Sequence, residues 1–447
     1  MGSDFMRELG EVAESARERW GVPGLAIGVL RDGEVETAAF GVTSLETMYP
    51  LRPDSLFQIG SNSKVYTTTL LMSLVDEGKV DLDALVSDYL PELRLQDEAA
   101  LGKIVVRHLV THQSGIWGDY FDDFGWGEEA LARSVEGIAE LTQMYAPGEL
   151  WAYTNSGFNL AGRIIEKVTG QTFENAMRER VLKPLGLERS FYLPHEVFSY
   201  PHAVGHTPEK PGDDDIVVAR EFWLHRAVGP AGGIHAPVAD VLEFDRFHLG
   251  LSGAQVISED SRLAMQTTQR RAANFSDEWG LGWRIQYIDG TKVLNHSGGT
   301  NGFITKNMIE PEKGVAWAIF TNSLYGGAAI RPIERWLLEH VAGLADRDPD
   351  LISMSGDDLA RFAGRYTNPL SEITVAEHDG GLRVQSSSIS ISTNEMVAYP
   401  PVDFKPVSDR IFMATEGREE GMLCDFILHE DGSVRFIRYE SRLAFRE

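Results

Sequence analysis

The stretch "DFMRELGEVAESARERW" spaces its apolar residues at helical intervals, which predicts an amphipathic helix near the N-terminus. "GLAIGVLRDGEVETAAFGV" then reads as two β-rich runs joined by Arg31-Asp32-Gly33, a hairpin pattern. After Pro53-Asp54 the spacing turns helical again through Val65, Thr68, Thr69, Met72, Leu74 and Val75, and Gly78 ends that helix. Residues 79 to about 270 read as mainly helical, with polar loops at "GDYFDDFGWGEE" and "PEKPGDDD". Strand patterns return at "GLGWRIQYIDGTKVLNHSGG" and "GVAWAIFTNS", followed by an amphipathic helix over "IRPIERWLLEHVAG". The expected first domain, residues 1–345, is therefore of the α/β (α+β) class. Its sheet is made from both ends of the segment, with a helical region inserted between the halves.

The pattern changes at "ADRDPDLISMSGDD", and residues 346–354 are expected to link two domains. Beyond it, short alternating runs are punctuated by His378-Asp379-Gly380-Gly381 and Glu430-Asp431-Gly432-Ser433. Residues 355–447 are expected to form a small all-β unit, a barrel or a sandwich.

Composition narrows the function classes. The 447-residue chain is 43% hydrophobic and 24% charged, an ordinary globular balance. Its 41 basic and 67 acidic residues give a formal charge of −26, a field that repels phosphate backbones and anionic lipid. No nucleic-acid or membrane partner is expected. No run of apolar residues is long enough to span a bilayer, and the first residues lack the apolar core of an export signal, so a cytoplasmic location is expected. The one cysteine, Cys424, excludes an internal disulfide.

Candidate chemistry begins at "GSNSK". Residues three apart at a helix start share a face, so Ser61 points toward Lys64, whereas Ser63 is rotated by ~100° from it. A serine hydroxyl becomes a nucleophile when a neighbour takes its proton, and a partly desolvated lysine can help with that. The same residue type is also a common helix N-cap, so Ser61-x-x-Lys64 alone decides little. It has company further along: Tyr153 and Asn155 precede an apolar helix, and His296-Ser297-Gly298-Gly299 closes a β run. Glycines at the end of a strand let another backbone lie close alongside.

In this order and spacing, Ser61-x-x-Lys64, Tyr153-x-Asn155 and His296-x-Gly298 resemble the three motifs of the serine β-lactamase and penicillin-binding-protein superfamily. The pattern is most similar to its class C-like, S12-type esterases, D-aminopeptidases and DD-peptidases. Supporting stretches are "HLVTHQSG", "RIIEKVTGQTF", "LKPLGLERS", "PAGGI" and "GLGW", and the likeness covers residues 10–345. It implies an antiparallel sheet flanked by helices. The C-terminal unit is more loosely similar to a lipocalin-like barrel.

The resemblance also implies roles. Ser61 would be the acylated nucleophile, and Lys64 with Tyr153 the base system. Asn155 would hold Lys64 and a substrate amide. The backbone N–H groups of Ser61 and Gly299 would form the oxyanion hole, and His296 would orient Tyr153. His296 stands where β-lactamases carry a lysine, which argues against antibiotic hydrolysis as the main function. The implied substrate is a small peptide, amide or ester, with no cofactor and no metal. Three functions follow: a serine acyl hydrolase, a penicillin-binding-protein-type thioesterase or peptide cyclase using an amine acceptor, and a non-catalytic ligand-binding homologue. A homo-oligomer is left open.

Other features carry less. His108 and His112 could share a helix face as metal ligands do, but a packing or hydrogen-bonding role fits them better. The acidic residues of "DYFDDFGWGEE" read as a solvated loop rather than a cation site. Trp117 just before it, and Tyr120, Phe121 and Trp126 within it, are equally candidates for lining a cleft and for packing the helical region. "GPAGG", residues 229–233, lacks the preceding strand and the lysine of a phosphate loop.

Overall fold

The computed structural model describes residues 2–272, 278–390 and 395–447. The chain divides into two compact units: residues 1–207, 216–271 and 276–346 form the first, and residues 208–215, 272–275 and 347–447 the second.

In the first unit, strands β1 (Gly24–Arg31) and β2 (Glu34–Gly41) form the expected hairpin. Asp32 and Gly33 both take positive φ, +52° and +78°, the backbone that joins two strands without splaying them. Six later strands complete the sheet: β3 (Arg270–Arg271), β4 (Glu278–Trp279), β5 (Arg284–Ile288), β6 (Thr291–Thr300), β7 (Phe303–Glu310) and β8 (Val315–Thr321). Their order is β2-β1-β8-β7-β6-β5-β4-β3, every neighbouring pair antiparallel. Leu25 pairs with Thr321, so the two ends of the unit meet within the sheet, at its second and third strands.

Helices cover both faces. On one side, α1 (Gly2–Arg19) and a late helix, Gly326–Leu337, bury Leu9, Ala13, Ile333 and Leu337 against Leu25, Ile27, Trp317 and Ile319. The opposite faces of β1 and β8, with Ala26, Leu30, Ala316 and Phe320, join the core of the helical region. Covered on both sides, these strands read as nearly continuous apolar runs.

The unit also contains helices α2 (Ser63–Asp76), α3 (Ser156–Thr169) and α4 (Val238–His248); the late helix is α5 (Gly326–Leu337). Residues 63–74 of α2 are all buried, the mark of a helix in the core rather than on the surface. Its threonines satisfy their hydroxyls internally: Thr68 and Thr69 donate to the carbonyls of Lys64 and Val65, and Thr67 donates to that of Pro230.

Among the described residues, the second unit has the strands β9 (Gly364–Thr367), β10 (Ser371–His378), β11 (Gly381–Ile389), β12 (Met396–Ala398), β13 (Val402–Pro406), β14 (Ile411–Ala414), β15 (Leu423–Leu428), β16 (Val434–Tyr439) and β17 (Arg442–Arg446). Eight run β10-β9-β17-β16-β15-β14-β13-β11, and pairing of β11 with β10 closes the ring. Closure removes the edges of the sheet, and β12 pairs outside the ring with β11. Phe362, Tyr366, Phe404, Phe412 and Phe426 fill the interior with the buried Cys424. This eight-stranded barrel fits the lipocalin-like expectation. Among the described residues, no helix is long and apolar enough to cross a membrane.

Candidate active site

Ser61 does not cap a helix. It lies in a 3-10 turn, Gly60–Asn62, that runs directly into α2. Side chains three apart eclipse in such a turn, and the Ser61 hydroxyl faces Lys64, whose Nζ donates to Oγ at 3.1 Å. Ser61 is half-buried, whereas Ser63 is fully buried and its Oγ accepts from the Ile234 backbone N–H at 3.1 Å. The two serines therefore have different surroundings: one borders open space and the other fastens two segments together.

Lys64 is completely buried, and its ammonium is held on several sides. It donates to Asn155 Oδ1 at 2.6 Å and to the Ala231 carbonyl at 2.7 Å. It also lies 4.9 Å from the Tyr153 ring centre and 5.3 Å from that of Phe158. A buried charge persists where hydrogen bonds replace its lost hydration, and these oxygens do so.

Asn155 occupies the N-cap position of α3, where its side chain would ordinarily accept from the helix amides, but it makes no such bond. It spends its amide on Lys64 and on Asp119, to which Nδ2 donates at 2.7 Å. The Gly118 carbonyl accepts from the N–H groups of both Asn155 and Ser156 at 2.9 Å, and Ser156 Oγ donates to the Trp117 carbonyl. A Cβ on Gly118 would fall 2.5 Å from the Tyr153 carbonyl, so only glycine lets these segments lie this close.

Tyr153 stacks on His112 at 4.3 Å between ring centres, and His112 Nδ1 accepts from the Thr154 N–H at 3.0 Å. This is the hydrogen-bonding and packing role expected of His112. The helix carrying His108, Val106–Val110, ends before His112, which takes φ +58°, so the pair does not share a helix face. Trp117 is buried, and Tyr120 lies half-buried over Gly137.

His296 is buried on β6, its ring 6.2 Å from Tyr153 and 5.7 Å from Trp279. Burial, then the neighbouring Lys64 cation, push its pKa down to about 3, outweighing the hydrogen bond to the Ser297 carbonyl. The ring is therefore neutral near pH 7. Since a carbonyl only accepts, Nδ1 carries the proton at 2.7 Å from Ser297 O, leaving Nε2 with the lone pair.

Strand and serine turn are pressed together. A Cβ on Gly60 would meet the Gly299 nitrogen at 2.9 Å, and one on Gly298 would meet the Ile59 carbonyl at 1.9 Å. Gly60 also takes φ +54°, which favours glycine. Strand β5 pairs with β6 only through Thr291–Asn295, so in the described residues the Ser297–Thr300 half of that edge is unpaired on the β5 side. An extended chain can add to such an edge.

The structure thus brings together Ser61, Lys64, Tyr153, Asn155, His296 and Gly299. Two participants escaped the sequence reading: Asp119, inside the loop read as solvated, and the Ala231 carbonyl, inside the discounted "GPAGG". A backbone acceptor leaves no side-chain signature.

The family model for beta-lactamase matches residues 12–342. The chain belongs to the beta-lactamase family. A relative from this family, penicillin-binding protein 4 of Amycolatopsis lactamdurans, is 33% identical over 79% of this chain and 95% of its own length. A D-aminopeptidase of Gluconobacter oxydans is 27% identical over 68% of this chain and 56% of its own. Among solved structures, SurE with D-Leu superposes with a TM-score of 0.77 over 100% of both chains at 24% identity, a likeness of fold. Membership places the protein, in general terms, among the serine hydrolases and acyl transferases of the beta-lactamase fold.

Proposed function

We propose that the protein is a serine acyl hydrolase that works through an acyl-enzyme on Ser61. The observation that carries this reading is the buried Lys64, 3.1 Å from Ser61 Oγ and fixed by Asn155 and Ala231. Ser61 Oγ attacks the substrate carbonyl while its proton passes to the Lys64–Tyr153 pair. Collapse of the tetrahedral adduct breaks the bond to the leaving group, to which Tyr153 delivers that proton. Water then attacks the ester and regenerates Ser61. The N–H groups of Ser61 and Gly299 stabilise the oxyanion, each such donor contributing ~3 kcal/mol.

The neutral His296 supports a substrate without a carboxylate beside the scissile bond, that is, an ester or a substituted amide. The named activity of the Gluconobacter relative makes D-aminoacyl amides a substrate class to test first.

A fluorophosphonate probe read by intact mass tests the assignment. Ser61→Ala is expected to abolish labelling, and Ser63→Ala to retain it while losing about 1 kcal/mol of stability with the Ile234 bond. Labelling that survives Ser61→Ala and disappears in Ser63→Ala would overturn it. Product analysis with added amines distinguishes hydrolysis from acyl transfer.

A further inference from the structure

We infer that Asp119 is a positioning residue that fixes the orientation of the Asn155 amide and, through it, tunes the proton acceptor of Ser61. The inference rests on the reading of Ser61 and Lys64 given above and extends it to a residue outside the three motifs.

A primary amide has one accepting end and one donating end, and the two can exchange by a flip about the terminal bond. The Lys64 ammonium only donates and an ionised carboxylate only accepts. Placed 2.6 Å and 2.7 Å from opposite ends of Asn155, they leave a single orientation that satisfies both. Asn155 has given up its helix-capping bond to lie between them. Asp119 is held on its side by the glycine turn, since the Gly118 carbonyl accepts from the first two amides of the Asn155 segment. The loop is therefore anchored by backbone bonds as well as by the Asp119 carboxylate.

Charge adds to orientation. Among the described residues, the titratable groups around this amide are Lys64, Asp119, Tyr153, His112 and His296. Asp119 is the carboxylate of that set. Its negative charge favours the ammonium of Lys64 and disfavours a phenolate on Tyr153. Removing it populates neutral Lys64 and anionic Tyr153 at lower pH, so either proton acceptor responds with the same sign.

The test is the rate of Ser61 labelling by the fluorophosphonate probe as a function of pH. Asp119→Asn keeps the side-chain shape and removes the charge. It is expected to move the half-maximal pH of labelling down by about 0.5 units or more, with its thermal midpoint close to that of the parent. Asp119→Ala also removes the acceptor, and is expected to slow labelling on the plateau by about tenfold. An unchanged pH midpoint in Asp119→Asn would overturn the inference, as would a lowered thermal midpoint with an unmoved pH curve, the signature of a merely structural anchor. Should Asp119→Ala lose its fold, the isosteric variant decides. Label retained in Ser61→Ala would instead overturn the reading of the site, so the two failures are distinguishable.

Discussion

Buried histidines divide the polar interior into groups that serve the site and groups that serve the fold. His248, on α4, accepts from Trp283 Nε1 at 3.4 Å and lies 3.1 Å from Thr69 Oγ1 on α2. Burial, reinforced by Arg262, brings its pKa down to about 3 from an ordinary 6.5. Between those values the unfolded chain binds the proton and the folded chain does not, so stability is lost as pH falls through that window. For one such group the loss from pH 7 to pH 5 is about 2 kcal/mol. His248→Asn should be less stable than the parent at pH 7, and that gap should narrow by about this amount at pH 5, as read from urea melts. A constant gap would show that His248 does not titrate this way. His296 has the same depressed pKa but stands over Tyr153 and Lys64, so its neutrality bears on substrate charge as well as on stability.

At the scale of elements, the site depends on how closely two of them approach. Gly162 on α3 faces the turn Gly229–Gly232, and a Cβ there would fall 2.3 Å from Pro230 Cγ. Glycine to alanine inside a helix ordinarily stabilises by up to about 1 kcal/mol. Here the sign should reverse: Gly162→Ala is expected to cost about 1–3 kcal/mol and to slow Ser61 labelling, because the displaced turn carries the Ala231 carbonyl. A more stable variant with the parent's labelling rate would count against this account. The same scale shows what sequence patterning can reach. The N-terminal helix, the Asp32-Gly33 hairpin, β6, β8 and α5 all declare themselves by periodicity and turn residues. Strand β7 does not, because "FITKNMIE" interrupts its apolar run with Thr305, Lys306 and Asn307. Their partners are remote in sequence or on other elements: Lys306 bonds Asn295 and pairs with Glu334, and Asn307 bonds the buried Asp245. Polar side chains paired internally look, in sequence, like solvent-facing ones. Asp119 was hidden in the same way, as one acid in an acidic loop, while Ser61, Lys64, Tyr153 and His296 were legible because several spaced motifs reinforced one another.

For the whole molecule, the apolar cores follow the division of the chain. The two cores of the sheet unit and the aromatic core of the barrel are built from separate sets of residues. A closed ring with its own interior should fold without help, so residues 347–447 expressed alone are expected to give a β-type circular dichroism spectrum and a cooperative melt. A coil spectrum would refute this. The sheet unit has no such autonomy within itself. Gly60 and Gly298, which press the serine turn against β6, are about 240 residues apart, and a ribosome adding roughly 5–20 residues per second needs on the order of 10–50 s to cover that interval. Throughout that time the β1–β2 hairpin lacks its neighbour β8, and the α1 face of the sheet lacks α5. The contact that brings Gly299 against Gly60 therefore comes into being only after the whole helical region between them has been made.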